Sequence, residues 1–366
     1  MKLTEIIAAI EQYAPPVYQE SYDNCGIQVG DPAAEITGAL LTLDVTEAVL
    51  DEAMSRNCNL IVAHHPLIFS GLKRITGSNY VERIVQKAIK NDIVIYAAHT
   101  NLDNMHNGVN AMIAKKLGLV NNAVLAPMGN LLNKLYTYAP AAIADKVRNA
   151  MFDAGAGAIG NYGECSFNTV GEGTFRPGAE ANPAIGQAGG KREAVAEVKI
   201  EVLVEKHRES AVISAMRAAH SYEEVAYELV PIANKHQQIG AGMVGNLTEP
   251  MDEVAFLTFL KSVMKTECIR HTALRGKKIE RVALCGGAGS FLLKNAMHAK
   301  ADIFITGDYK YHQFFDAEGR IIIADIGHYE SEQFTPEIFE EVLKKKFPNF
   351  AILLSNVLTN PVKYFR

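Results

Sequence analysis

Apolar runs and segments of helical periodicity alternate along the chain from Leu40 onward. "GALLTLDVT" leads into "EAVLDEAMSRN", and "LIVAHH", "YVERIVQKAIKND" and "IVIYAAHT" follow. Short apolar runs bounded by turn residues read as buried strands, and apolar positions spaced three and four apart read as amphipathic helices. Their alternation predicts βα units and an α/β fold, a sheet with parallel strands covered by helices on both faces. The same grammar resumes late in the chain with "RVALCGGAGS", "ADIFITGDYKYHQ" and "RIIIADIGHYESEQF", the last leading into a helix at "PEIFEEVLKKKF".

Between these stretches the texture changes. "KLYTYAP" reads as a strand, "AAIADKVRNAMFDAG" as a helix and "GECSFNTVGEGTF" as a strand pair or a bent strand. A Gly/Pro/Ala-rich loop, "RPGAEANPAIGQAGG", precedes a strand at "AVAEVKIEVLVE", a helix at "ESAVISAMRAAH" and a closing strand at "AYELVPI". This βαβ-βαβ order is that of a ferredoxin-like α+β module. The expected organisation is a discontinuous α/β domain, residues 1–127 and 240–366, interrupted by an independently folded insertion at 128–239. "GAGAIG" at 155–160 matches a dinucleotide-binding pattern, but it follows a helix and leads into a strand, the reverse of the required context. It reads as a helix C-terminal turn with Gly155 or Gly157 left-handed.

In open α/β sheets the loops leaving the carboxyl ends of the strands converge on one edge, so side chains distant in sequence meet there. Four such segments carry imidazoles and carboxylates: "AHHP" (His64, His65), "AAHTNLDN" (His99, Asp103), "TGDYKYH" (Asp308, His312) and "DIGHYESE" (Asp325, His328, Glu332). Imidazole with carboxylate is a donor set for divalent transition metals. If "HYESE" begins a helix, His328 and Glu332 share one face. Neighbouring strand residues point to opposite faces, so His64 and His65 serve one ion only if the strand has already broken; otherwise they serve two neighbouring ions. The spacing hints at a dinuclear site. His99, His106 and His220 read as ordinary core or surface histidines. Asp308 and His312 have two readings, a functional pair or a helix cap. "CGGAGS" offers backbone N–H groups for a phosphate, or is simply a tight strand-to-helix turn.

Charge narrows the partners. Lys and Arg number 36 against 41 Asp and Glu, a net charge of -5, and no basic run occurs, which argues against nucleic acid as a direct ligand. The first apolar stretch is broken by Glu5 and Glu11, and no window approaches a membrane span, so the expectation is a cytoplasmic protein without membrane contact. Five cysteines without a C-x-x-C pair fit a reducing compartment.

In order, "ESYDNCGIQVGD", "AHHPLIF", "AHTNLD", "GAGMVGNL", "CGGAGS", "ADIFITGDYKYH" and "DIGHYESE" resemble the NIF-three-like family, whose members bear the name GTP cyclohydrolase type 2 homologue. The resemblance spans both outer segments, and the middle is similar to the ferredoxin-like (signal-transducer or CutA-like) insertion of longer members. It implies a NIF-three-like α/β domain with a strand-end centre of two divalent ions per chain, zinc, manganese or iron. The implied metal ligands are His64, His65, Asp103, His328 and Glu332. In the family pattern Glu332 touches both ions, His65 and Asp103 one of them, and His64 and His328 the other. Asp308 and His312 would line the cavity as catalytic, proton-moving groups, and Tyr22 stands where an indole is common. The resemblance also suggests a homo-oligomer, with a homohexameric ring among the candidate assemblies.

The functional expectation is a metal-dependent hydrolase acting on a small nucleotide-like or phosphorylated substrate. The alternative is a non-catalytic protein for metal storage, delivery or ligand sensing. A role as a transcription adaptor gains no direct support from the acidic balance.

Overall fold

The computed structural model describes residues 1–365. They form two compact units, residues 1–127 with 238–365, and residues 128–237. In chain order the strands are β1 (Gly26–Val29), β2 (Ala39–Thr42), β3 (Leu60–Ala63), β4 (Val94–Ala97) and β5 (Val120–Met128). The second unit adds β6 (Leu132–Pro140), β7 (Ser166–Phe175), β8 (Glu193–Glu205) and β9 (Tyr227–Pro231). The chain then supplies β10 (His236–Met251), β11 (Arg270–His271), β12 (Ile279–Ala288), β13 (Ile303–Gly307), β14 (Ile322–Asp325) and β15 (Ile352–Leu354).

The first unit contains two sheets where the apolar pattern suggested one. Their orders are β1-β4-β3-β2-β15 and β11-β14-β13-β12-β10-β5. Strands β4, β3, β2 and β15 are mutually parallel, as are β12, β13 and β14. An apolar run specifies a strand but not its neighbours, which is why the division was not legible. One core joins the two sheets: Leu41, Val62 and Tyr96 of the first share a cluster with Leu284, Ile305 and Ala324 of the second, filled by Ile6, Ile113, Phe256 and Phe339 from helices. The alternate residues Leu40, Ile61 and Ile95 pack under the helices Glu47–Ser55 and Tyr80–Lys90. On the second sheet Ala283, Phe304 and Ile323 pack with Leu293 and Ala296. Burial on both faces turns each central strand into an unbroken apolar run.

Helix starts follow side-chain chemistry: Thr46 Oγ1 accepts from the Val49 N–H and Asn79 Oδ1 from the Glu82 N–H, each satisfying an otherwise orphaned donor. Phe304 is fully buried, so Phe304→Ala should lower stability by about 3–5 kcal/mol, measured as a shift in the urea midpoint of the first unit.

The second unit has sheet order β7-β8-β6-β9, with neighbouring strands antiparallel. The helices Ala144–Asp153 and Glu209–Ala219 cover one face, where Val147, Met151, Val212 and Met216 meet Leu135, Ile200 and Val202. This is the ferredoxin-like arrangement expected from the element order. "GECSFNTVGEGTF" contributes one long strand, β7, and no hairpin. Gly155 and Gly157, at φ 97° and 76°, both turn the chain left-handed after the helix. No helix among the described residues is long and apolar enough to cross a membrane.

Candidate metal centre

All the elements that build the centre deliver residues from the carboxyl ends of parallel strands. β3 is followed by His64 and His65, and β4 by His99 and then Asp103. β13 is followed by Asp308, and β14 by His328 and Glu332. The strand breaks at the histidine pair: the amides of His64 and His65 both reach the Leu43 carbonyl, at 3.2 and 3.0 Å. Freed from the pleat, the two rings lie 4.9 Å apart, tilted by 46°. His328–Glu332 is a short helix, and its one-turn spacing puts His328 Nε2 3.1 Å from Glu332 Oε2. Two glycines make room for it. Gly287 holds φ 61°, and a Cβ there would sit 2.5 Å from Glu332 Oε1; at Gly327, φ 94°, a Cβ would meet the Glu330 carboxylate.

Two groups of donors face each other across Glu332. In one, His64 Nε2 lies 3.6 Å from Asp103 Oδ1 and 3.9 Å from Glu332 Oε1. In the other, His65 Nε2 lies 2.9 Å from Glu332 Oε2 and 3.3 Å from His328 Nε2. The side chains therefore pair His64 with Asp103 and His65 with His328, whereas the family pattern paired His65 with Asp103 and His64 with His328. The reason is local: β3 and β4 are neighbours, so fully buried His64 faces the β4 side, while His65 faces β14.

Each imidazole is fixed through its other nitrogen. Nδ1 of His64 donates to the Ala98 carbonyl (3.0 Å), Nδ1 of His65 to Asp44 Oδ1 (2.7 Å), Nδ1 of His99 to Asp23 Oδ1 (2.9 Å) and Nδ1 of His328 to Asp308 Oδ2 (2.8 Å). This fixes the tautomer and directs every Nε2 inward, the outer support typical of metal-binding histidines. Thr359 Oγ1 in turn donates to Asp44 Oδ2 at 2.6 Å.

The electrostatics match a site designed around positive charge. Burial, then the Glu332 carboxylate, pushes Asp103 up to about 7. Burial would lower His65 and His328, but hydrogen bonds to Asp44 and Glu332 raise the first to about 10, and Glu332 and Asp308 raise the second to about 9. Burial opposes ionisation of Glu332, yet its imidazole neighbours, His328 first, hold it well below the usual carboxylate range. His64 Nε2 and Asp103 Oδ1 are buried without a hydrogen-bond partner. At 3.6 Å these two atoms make no hydrogen bond with each other, whereas a cation between them would satisfy both. The residues fit divalent cations. Asp44→Ala should weaken metal binding about 10–100-fold in chelator competition while leaving the fold intact, because Asp44 orients His65 from outside the donor set.

Asp308 borders a cavity of about 480 Å³ beside the centre, whose wall also includes Asp44, His65, Arg270 and His328. His312 does not line it. It is exposed on the short helix Tyr311–Ala317, its ring against Tyr311. Their four-residue spacing does not put them on one helix face, because Asp308 takes φ 55° and turns the chain before that helix begins; nor does Asp308 cap it, since Lys310 precedes its first residue. In "CGGAGS" the N–H groups of Gly286, Gly287 and Gly289 are taken by Asn110, Ser331 and Thr306, so the stretch is a strand-to-helix turn and not a phosphate cradle.

Sequence reasoning left out Asp44 and Asp23 and gave His99 a bland reading. His99 lies with its ring 5.2 Å from that of His64 and 5.4 Å from that of His65, close enough to contribute a further donor. Asp44 follows β2 at the same edge, and Asp23 lies in "YDNC"; inspecting every post-strand acid would have found the first. Tyr22 is exposed beside Phe69, whose ring lies 6.4 Å from that of His99, so an aromatic wall flanks the centre.

Residues 1–361 match the profile of Duf34/NIF3 (NGG1p interacting factor 3). A Bacillus subtilis protein named GTP cyclohydrolase 1 type 2 homolog is 38% identical over 366 residues, 98% of each chain. A crystal structure of a Bacillus cereus protein related to NIF3 superposes with a TM-score of 0.86 at 38% identity, covering 99% of this chain and 98% of that one. A Staphylococcus aureus protein superposes with a TM-score of 0.80 at 28% identity, covering 100% and 99%.

Proposed function

Because the chain belongs to the Duf34/NIF3 family, we propose that it holds two divalent ions and is a hydrolase of small phosphorylated, nucleotide-like substrates. The observation that carries the reading is the pair of buried, unpartnered donors His64 Nε2 and Asp103 Oδ1, set opposite the His65 and His328 pair across Glu332. His64 and Asp103 would hold one cation and His65 and His328 the other, with Glu332 serving both. The donor set is imidazole and carboxylate without thiolate, which suits zinc, manganese or iron. When bound, such cations supply Lewis acidity and acidify water at neutral pH.

The chain's own groups do the rest. Arg270 is the only guanidinium or ammonium group on the wall of the adjoining cavity among the described residues, and it offers a fork of donors to a phosphate. Asp325 anchors it by an ion pair, and the Tyr309 carbonyl accepts from it at 2.9 Å. Asp308 holds His328 in orientation, and its exposed carboxylate at the cavity wall is the group we assign to exchange a proton with substrate. His312, outside the cavity wall, has no part in this assignment. The likeness of the relatives' name to GTP chemistry suggests nucleotides as the first compounds to assay.

The test is to strip the protein with chelator, reload it with zinc, manganese or iron, count ions by mass spectrometry and assay nucleotides, phosphodiesters and amides. Turnover of a phosphorylated compound that requires reloading is the expected result. Fully loaded protein inert toward all three classes would sink the hydrolase reading in favour of metal storage or sensing.

A further inference from the structure

The ferredoxin-like unit contains its own cavity, of about 650 Å³, within the usual size range of small-molecule sites. Along β8 the residues Val198, Ile200, Val202 and Val204 pack toward the helices, so the alternation turns Glu197 and Lys199 to the other face, where both line this cavity. Glu197 is only 9% exposed. Its Oε1 accepts from the Tyr222 hydroxyl at 2.9 Å, and among the described residues no donor meets Oε2.

The surroundings are shaped for that carboxylate. Gly171 is its register partner on β7, and a Cβ at Gly173 would lie 2.0 Å from Glu197 Oε2. Phe175 and Tyr222 stand as a wall, with ring centroids 5.8 Å apart and planes tilted by 60°. The Gly/Pro/Ala-rich loop, whose Pro183 and Ile185 line the rim, is clipped in place where the Asn182 N–H donates to Glu223 Oε1 at 2.9 Å.

Charge selects the ligand. Glu172, Glu223 and Glu224 join Glu197 on the wall. Against them stand Arg176 and Lys199, but the Lys199 ammonium is already engaged, 3.2 Å from Glu201 and 4.3 Å above the Tyr136 ring. With one oxygen hydrogen-bonded and the other meeting no donor on the cavity wall, the Glu197 carboxylate leaves a negative position that a cation would fill. Aromatic faces nearby attract the same sign of charge. We propose that this cavity binds a small organic ammonium ion, its nitrogen paired with Glu197 and its carbon framework packed against Phe175 and Tyr222.

The experiment uses the full chain and three matched probes: phenethylammonium, the neutral 2-phenylethanol and the anionic phenylacetate. Saturation-transfer NMR and calorimetry should show saturable binding of the ammonium probe, with the alcohol weaker by about tenfold or more, as loss of a charge-assisted hydrogen bond implies, and no binding of the anion. Glu197→Gln, which keeps the Tyr222 contact, should cost the ammonium probe a similar factor, and Gly173→Val should abolish its binding, with metal content unchanged in both. Absence of saturable ammonium binding to the wild type, equal affinity for the alcohol, or undiminished binding by folded Glu197→Gln would each overturn the proposal. The comparison of probes on the wild type decides the matter even if a variant fails to fold.

Discussion

Glu332→Ala should release both ions and reduce metal-dependent turnover by roughly a thousandfold or more, since several kcal/mol of charge stabilisation convert at about 1.4 kcal/mol per factor of ten. The size of the effect follows from position. Glu332 is 2% exposed and sends one oxygen toward His64 and Asp103 and the other toward His65 and His328. Every other proposed ligand would serve one side, so His64→Ala should spare the ion expected between His65 and His328, whereas the loss of Glu332 should damage both. Ion counts by mass spectrometry on the two variants separate these outcomes. A Glu332→Ala protein that keeps two ions would remove Glu332 from the bridging role.

The second large effect is a pH dependence that differs between the metal-free and metal-loaded protein. Without metal, His65 and His328 hold protons to about 10 and about 9, above the ordinary 6.5. A group whose folded pKa is raised gives its full stabilisation below the unfolded value and loses it as pH rises through the folded value. Metal-free protein should therefore lose stability steadily from about pH 6.5 to about 10. The raised Asp103 carboxyl adds a fall in the same direction between its ordinary 3.8 and about 7. With metal present the sign reverses over this window, because cations must displace those protons and bind more tightly as pH rises. At a free metal concentration a thousand times Kd, each site contributes about 4 kcal/mol. Melting curves with chelator and with excess metal should diverge as pH increases from 6.5. Parallel curves would mean that these imidazoles are not displaced by metal.

Much of this was legible in the sequence because strands buried on both faces leave unbroken apolar runs, and their ends mark the edge where side chains converge. His64, His65, Asp103, His328 and Glu332 come together from three segments, and the insertion has the sheet order its elements predicted. Other features depend on contacts without a periodic signature. The split into two sheets is decided by pairing, and the His64–Asp103 grouping by the adjacency of β3 and β4. The carboxylates of Asp44 and Asp23 act on imidazoles 21 and 76 residues away, which no local pattern records. His312 misled for the opposite reason: its spacing from Asp308 is helical, but the left-handed backbone at Asp308 interrupts the helix that spacing assumes.

The most direct measurement is an anomalous-difference map from crystals of metal-loaded protein, collected on either side of the absorption edge of the supplied ion. Two peaks are predicted, one between His64, Asp103 and Glu332 and the other between His65, His328 and Glu332. No density there at saturating metal, or ions bound only at surface carboxylates elsewhere, would contradict the account.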